Sequence, residues 1–190
     1  MLSERFVEAV GFAIKAHGGQ CRKGGGIPYV AHLLGVASLV LDAGGDEDLA
    51  IAGLLHDTIE DTGTTAQELE SGFGPRVAAI VEACTDAHEH PKPPWRARKE
   101  QYLAHLQSAD TPVDVLVVSR ADKLHNARAI LSDYRDVGEQ LWGRFQEGPN
   151  QQVWYYGSLA EIFMDRLPGP MTDELSRVVA ELTAELARNR

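Results

Sequence analysis

The chain has 190 residues, of which 44% are hydrophobic and 24% are charged. This balance is typical of a globular domain with a sizeable core. The 18 basic and 28 acidic residues give a net charge of −10. Nucleic acids and anionic membranes bind broad basic surfaces, so we expect neither as a partner. An anionic substrate would need locally placed cations or a metal ion.

The cysteine content and the N-terminal residues predict a cytoplasmic protein. Cys21 and Cys84 lie far apart and form neither a disulfide framework nor a zinc-finger pattern. The N-terminus lacks the basic start and apolar core of a signal peptide. No run reaches the roughly 18 apolar residues that a membrane span needs.

Helical periodicity predicts an all-α fold of about eight to ten helices, forming a single domain over residues 1–190 with no convincing strand. Predicted helix starts carry a capping residue or a proline: Ser3, Asp46, the Thr64/Gln67 pair, Pro75, Pro112 and Thr172. The β-branched run Val113–Val118 is also compatible with a strand. We favour a helix there, because Pro112 suits its first turn and the pattern continues without a break. Residues 137–150 should be partly irregular, with a helix following from Gln151 to Leu167.

The stretch from Leu54 to Thr62 combines burial with charge. A nearly all-apolar run leads into four ionisable residues within six positions: His56, Asp57, Glu60 and Asp61. Such groups at the end of a buried helix are costly unless they are paired, bound to metal or line a solvent-filled site. We interpret His56 and Asp57 as metal ligands, and Glu60 and Asp61 as residues that handle water. A helix end with solvated charges is the alternative.

Two loops and one cluster of aromatic residues are each open to two interpretations. The glycine-rich loop 18–28 carries Arg22 and Lys23, which suit either phosphate binding or a flexible solvated turn. His88 and His90 lie in a proline-rich loop, where exposure is more common than metal ligation. The aromatic side chains at 154–156 could stack on a substrate, but aromatic residues at helical spacing more often belong to the core.

Three segments offer metal ligands. They contain His32, the pair His56 and Asp57, and Asp122. Asp122, like His56 and Asp57, follows an apolar run, and it could instead be a salt-bridged core residue. Two imidazoles with two carboxylates suit a divalent ion of intermediate hardness, such as Mn²⁺ or Fe²⁺. They do not suit a closed structural zinc site, which favours cysteine.

These residues, taken with their neighbours, resemble a known family. The segments that carry the resemblance are Gln20–Lys23, Pro28–His32, Leu54–Thr62 and Ala121–Asn126. Their order resembles that of the all-helical HD-domain metal-dependent phosphohydrolases, and more closely the Rel/Spo-type hydrolase domains. Those domains remove the 3′-pyrophosphate from the guanosine alarmones ppGpp and pppGpp. The resemblance covers about residues 5–130 and implies a stand-alone small alarmone hydrolase, with helices over 150–190 packing on this core.

The resemblance also implies roles for individual residues. His32, His56, Asp57 and Asp122 would hold Mn²⁺. Glu60 and Asp61 would activate water at the 3′-phosphate. The implied substrate contacts are Arg22 and Lys23 on the base and phosphates, Lys92 on the pyrophosphate and Asn126 near the nucleoside.

Two departures from the family pattern leave the substrate open. Leu33 follows His32 where the family usually has proline, and the loop contains three consecutive glycines at 24–26. Adenosine alarmones and NADPH therefore remain alternative substrates. A non-catalytic nucleotide sensor is the alternative from another functional class. No pattern in the sequence predicts the oligomeric state.

Overall fold

The computed structural model describes residues 1–86 and 93–188. Within these ranges the chain forms ten α-helices, one 3-10 helix and no strand. The α-helices are α1 (Glu4–Ala16), α2 (Val30–Asp42), α3 (Glu47–Leu55), α4 (Thr58–Thr62), α5 (Ala66–Phe73), α6 (Pro75–Cys84), α7 (Trp95–Gln107), α8 (Val113–Val137), α9 (Pro149–Arg166) and α10 (Pro170–Arg188). The 3-10 helix spans Gly138–Arg144. The predicted all-α class is confirmed. None of the described helices is both long and apolar enough to cross a membrane.

Local capping chemistry sets several helix starts. The Ser3 side chain accepts a hydrogen bond from the Arg5 N–H, and the Asp46 carboxylate accepts one from the Leu49 N–H. Pro75 occupies the first turn of α6, where its missing N–H leaves no hydrogen bond unmade. These three starts agree with the sequence prediction.

Two predicted caps are wrong. The capping box of α5 uses Thr65 and Glu68, one residue beyond the predicted Thr64/Gln67 pair. The Thr64 hydroxyl instead bonds to the Thr62 hydroxyl at 2.8 Å, which closes the preceding turn. The last helix begins at Pro170, before Thr172, whose buried hydroxyl donates to the Leu167 carbonyl.

The chain divides into two compact units. The first comprises Met1–Pro93 and Pro112–Asp122, and the second comprises Pro94–Thr111 and Lys123–Arg190. In the first unit α3 packs against α1, α2 and α6, and in the second α9 packs against α7 and α10. The single-domain organisation over residues 1–190 stays a prediction.

Helix α3 is the buried centre of the first unit. All seven residues from Leu49 to Leu55 are buried, as the apolar run predicts. At Gly53 an added Cβ would lie 3.4 Å from Ala37 Cα and 3.5 Å from Val36 Cγ1. An added methyl group would therefore already touch α2, and a larger side chain at this position would press against it. This close approach of α2 and α3 sets the spacing between the segments that carry His32 and His56.

Replacing Gly53 with valine should destabilise the protein, because the two γ-methyl groups have no room beside α2. Overpacking of this kind costs about 1–3 kcal/mol. The matched control is Gly11→Val, since a Cβ at Gly11 meets no atom within 4 Å. The control should change the free energy of unfolding by less than about 0.5 kcal/mol. Chemical denaturation measures both, and equal stabilities of the two variants would contradict the close contact.

Candidate metal centre

The chain breaks its helical path at His56 and Asp57. The sequence places these ionisable residues at the end of a buried helix, and α3 ends at Leu55, directly before them, while α4 begins at Thr58. Asp57 lies between them with φ −98° and ψ −1°. The Thr58 hydroxyl donates to the Leu55 carbonyl at 2.7 Å, which satisfies a backbone acceptor that the break leaves without a helical partner. The two side chains therefore project from a turn.

The four predicted metal ligands converge in the first unit. His32 Nε2 lies 3.1 Å from Asp122 Oδ1 and 3.7 Å from Asp57 Oδ2. His56 Nε2 lies 3.0 Å from Asp57 Oδ2 and 3.5 Å from Asp122 Oδ1. Ligand atoms of His32, His56 and Asp57 thus lie within 4.8 Å of one another, and Asp122 of α8 contacts both imidazoles.

The orientation of His56 leaves one nitrogen directed at this cluster. Its Nδ1 lies 2.8 Å from the Gly53 carbonyl oxygen, which can only accept a hydrogen bond. Nδ1 therefore donates this hydrogen bond, and Nε2 is the nitrogen that faces the carboxylates, where it can carry a proton or bind a cation. His56 Nε2 is buried and makes no hydrogen bond within the described part of the chain.

Burial and the neighbouring charges shift the pKa values of these groups in opposite directions. Burial lowers the pKa of His32 despite its hydrogen bond to Asp122. Burial alone would lower the pKa of His56, but the Asp57 and Asp122 carboxylates together raise it well above its ordinary value. Burial would raise the pKa of Asp57, but the His56 ring holds it well below its usual range. The pair thus favours an ionised Asp57 carboxylate beside a positively charged partner.

A divalent cation fits these residues. The side chains of His32, His56 and Asp122 are 0%, 3% and 7% exposed, so little solvent reaches the Asp122 carboxylate, whereas the Asp57 side chain is 20% exposed. Buried carboxylates need a compensating positive charge. The mixed nitrogen and oxygen donors, together with the buried His56 Nε2, match a divalent ion of intermediate hardness.

Tyr29 also belongs to this cluster, although sequence reasoning assigned it no role. Its hydroxyl donates to Asp57 Oδ2 at 2.5 Å. Burial, followed by the Asp57 charge, raises the pKa of Tyr29 far above its ordinary value, which keeps the phenol protonated. The sequence feature that could have indicated this role is the position of Tyr29, three residues before His32 and at the start of the same helix.

Glu60 and Asp61 lie on α4, directly after the turn that carries Asp57. Glu60 is partly buried, and its Oε2 accepts a hydrogen bond from the Asp86 N–H at 3.4 Å. Asp61 is exposed, and its backbone carbonyl accepts a hydrogen bond from the Gln20 side chain at 3.2 Å. The roles predicted for the two carboxylates stay predictions.

The predicted substrate contacts lie on different parts of the chain. Arg22 and Lys23 lie in the loop between α1 and α2 of the first unit, with Arg22 partly buried and Lys23 exposed. Asn126 belongs to the second unit. Lys92, like His88 and His90, falls outside the described residues.

The aromatic residues at 154–156 divide between core and surface in the second unit. Tyr155 and Tyr156 are buried, as the core interpretation expects. Trp154 is partly exposed, and the Arg96 guanidinium carbon lies 3.2 Å from its ring centroid. This cation–π contact accounts for Trp154 without a ligand.

Comparisons with known proteins agree with this geometry. A family model described as "HD domain" matches residues 9–143. The chain is 39% identical to guanosine-3′,5′-bis(diphosphate) 3′-pyrophosphohydrolase MESH1 of Mus musculus over 177 residues, covering 85% of this chain and 94% of that protein. It is 37% identical to a probable enzyme of the same name from Synechocystis over 120 residues, which are 63% of this chain but 16% of that protein.

A solved structure shares the fold over nearly the whole chain. It is described as a metazoan ortholog of SpoT that hydrolyses ppGpp, and it superposes with a TM-score of 0.79 at 24% identity. The match covers 95% of this chain and 97% of that one. The family model covers well over half of the sequence, and the mouse protein is matched almost from end to end. On this evidence the chain belongs to the HD-domain family.

Proposed function

We propose that the protein hydrolyses the 3′-pyrophosphate of the guanosine alarmones ppGpp and pppGpp, releasing pyrophosphate and GDP or GTP. The observation that carries this proposal is the convergence of His32, His56, Asp57 and Asp122, with contacts of 3.0–3.7 Å. The near end-to-end similarity to a mouse protein named as a 3′-pyrophosphohydrolase supports the choice of substrate.

Membership of the HD-domain family implies a divalent metal ion, and we propose Mn²⁺. The four converging side chains would hold it through two imidazole nitrogens and two carboxylate oxygens. When bound, such an ion lowers the pKa of coordinated water and offsets negative charge on a phosphoryl oxygen. The Gly53 carbonyl orients one of the ligands by accepting the hydrogen bond from His56 Nδ1.

Glu60 and Asp61 supply the acid–base groups of the proposed reaction. Water adds to the 3′-linked phosphorus, the bond between this phosphorus and the 3′-oxygen breaks, and the leaving oxygen takes a proton. One carboxylate orients the water and accepts its proton, and the other group can return a proton to the leaving oxygen. Their place on α4, immediately after Asp57, supports this assignment.

Because the protein has a net charge of −10, a polyanionic substrate needs positively charged side chains close to the site. We propose that Arg22 stacks on the purine and that Lys23 and Lys92 contact phosphates, with Asn126 near the nucleoside. These assignments rest on the family resemblance. A cytoplasmic location stays a prediction.

The proposed reaction predicts release of pyrophosphate from ppGpp in the presence of Mn²⁺, and loss of this activity with a chelator. Glu60→Gln should lower kcat about 10²–10⁴-fold, because it removes an acid–base group while keeping the side-chain size. Glu8→Gln is the matched control, since Glu8 is exposed on α1. Its kcat should equal that of the wild type.

A nucleotide panel separates this function from its alternatives. The panel contains guanosine and adenosine alarmones and NADPH, and pyrophosphate and orthophosphate are measured separately. Release of orthophosphate alone from another nucleotide would indicate a general HD-domain nucleotidase. Binding of ppGpp by the Mn²⁺-loaded protein without turnover of any nucleotide would indicate a sensor.

Mn²⁺ should raise the melting temperature, because a ligand that binds only the native state stabilises it. At a free Mn²⁺ concentration of 100 times Kd, the free energy of unfolding rises by about 2.7 kcal/mol. Asp122→Asn should abolish most of this shift by removing one ligand charge. Asp114→Asn, on the same helix but paired with Arg76, should keep the shift. Acidification should reduce it, because protons compete for the imidazole nitrogens. An undiminished shift in Asp122→Asn would contradict the assigned ligand set.

A further inference from the structure

The Tyr29 hydroxyl contacts the metal centre through Asp57. It donates to Oδ2 at 2.5 Å, within the range of a short, charge-assisted hydrogen bond. The same oxygen faces His56 Nε2 at 3.0 Å and His32 Nε2 at 3.7 Å. A carboxylate oxygen has two lone pairs, so Oδ2 can accept this hydrogen bond and still coordinate a cation.

The Tyr29 ring is itself held in place. It stacks on the His17 ring with centroids 5.0 Å apart and an interplanar angle of 22°. It also makes an edge-to-face contact with the His32 ring, with centroids 5.5 Å apart and an interplanar angle of 68°. The Tyr29 N–H donates to the Gln20 carbonyl at 3.0 Å. With aromatic contacts on two sides and a fixed backbone, the phenol has little freedom to turn away from Asp57.

His17 and Gln20 extend this arrangement to α4. His17 is buried, and its Nδ1 lies 2.8 Å from Gln20 Oε1, which accepts the hydrogen bond. The Gln20 amide nitrogen donates in turn to the Asp61 carbonyl at 3.2 Å. The Gln20 side chain therefore connects His17, which stacks on Tyr29, with α4, the helix that carries Glu60 and Asp61.

Two effects of the hydroxyl on metal binding oppose each other. The hydrogen bond draws electron density from the Asp57 carboxylate, which weakens its attraction for a cation. It also fixes the carboxylate in the orientation that places Oδ2 against both imidazoles. Removing outer partners of metal ligands typically weakens metal binding about 10–100-fold, so the orienting effect is the larger one.

We infer that Tyr29 is a positioning residue, which holds Asp57 in its metal-binding orientation and is itself held by His17 and Gln20. The inference rests on the metal site of the proposed function. It extends that site from four ligands to a connected set that includes the base of the glycine-rich loop.

Calorimetric titration of the full chain with Mn²⁺ tests the role of Tyr29. Tyr29→Phe should raise the Mn²⁺ Kd about 10-fold or more, because the ring remains while the hydrogen bond is lost. The matched control is Tyr134→Phe, which removes a buried hydroxyl bonded to Glu139 in the second unit. Its Kd should equal the wild-type value.

A Kd of Tyr29→Phe within twofold of wild type, or a tighter one, would overturn the inference. Thermal unfolding without metal establishes that the variant is folded. Should it fail to fold, His17→Phe decides, because it keeps a ring against Tyr29 but loses the bond to Gln20. We expect that variant to raise Kd several-fold, and an unchanged value would overturn the inference.

The wild-type nucleotide assay separates this inference from the proposed function. Mn²⁺ binding without alarmone hydrolysis would refute the proposed function, while a weakened Tyr29→Phe variant would still support the positioning role. Hydrolysis by the wild type together with unchanged Mn²⁺ binding in Tyr29→Phe would refute the positioning role alone.

Discussion

The placement of a buried and a partly buried carboxylate beside two buried imidazoles is the constraint on which the first unit depends. Asp57 and Asp122 face His32 and His56 at distances of 3.0–3.7 Å, with Asp122 7% exposed and Asp57 20% exposed. Such a cluster is costly to bury without positive charge, and protonated His56 or a divalent cation can supply it. The buried α3 and its close approach to α2 at Gly53 bring these groups together. Stability and metal binding therefore rest on the same packing.

The glycine-rich loop is hydrogen-bonded at its base, where the sequence left phosphate binding and a flexible solvated turn as alternatives. The Arg22 N–H donates to the Ile27 carbonyl at 2.8 Å, and the Tyr29 N–H donates to the Gln20 carbonyl at 3.0 Å. These bonds make a short hairpin whose end is tied to Asp57 through Tyr29. In the proposed enzyme, the cations that receive phosphate and the ligands that bind metal would share one hydrogen-bonded support.

Sequence rules succeeded where a local interaction decides the structure. Caps at Ser3 and Asp46 and the proline start of α6 follow from hydrogen bonds within a few residues. The rules failed where neighbouring residues compete for one role. Thr64 and Thr65 are equally good caps in isolation, and the bond from Thr64 to Thr62 selects Thr65.

The sequence by itself determined the all-α class, the buried α3 and the four candidate metal ligands. Each follows from periodicity, or from ionisable residues placed beside apolar runs. Only the tertiary structure decided that Tyr29, the Gly53 carbonyl and Gln20 support this site. The reason is physical: ligand types are recognisable from residue chemistry, whereas supporting hydrogen bonds depend on distances and angles between segments far apart in the chain.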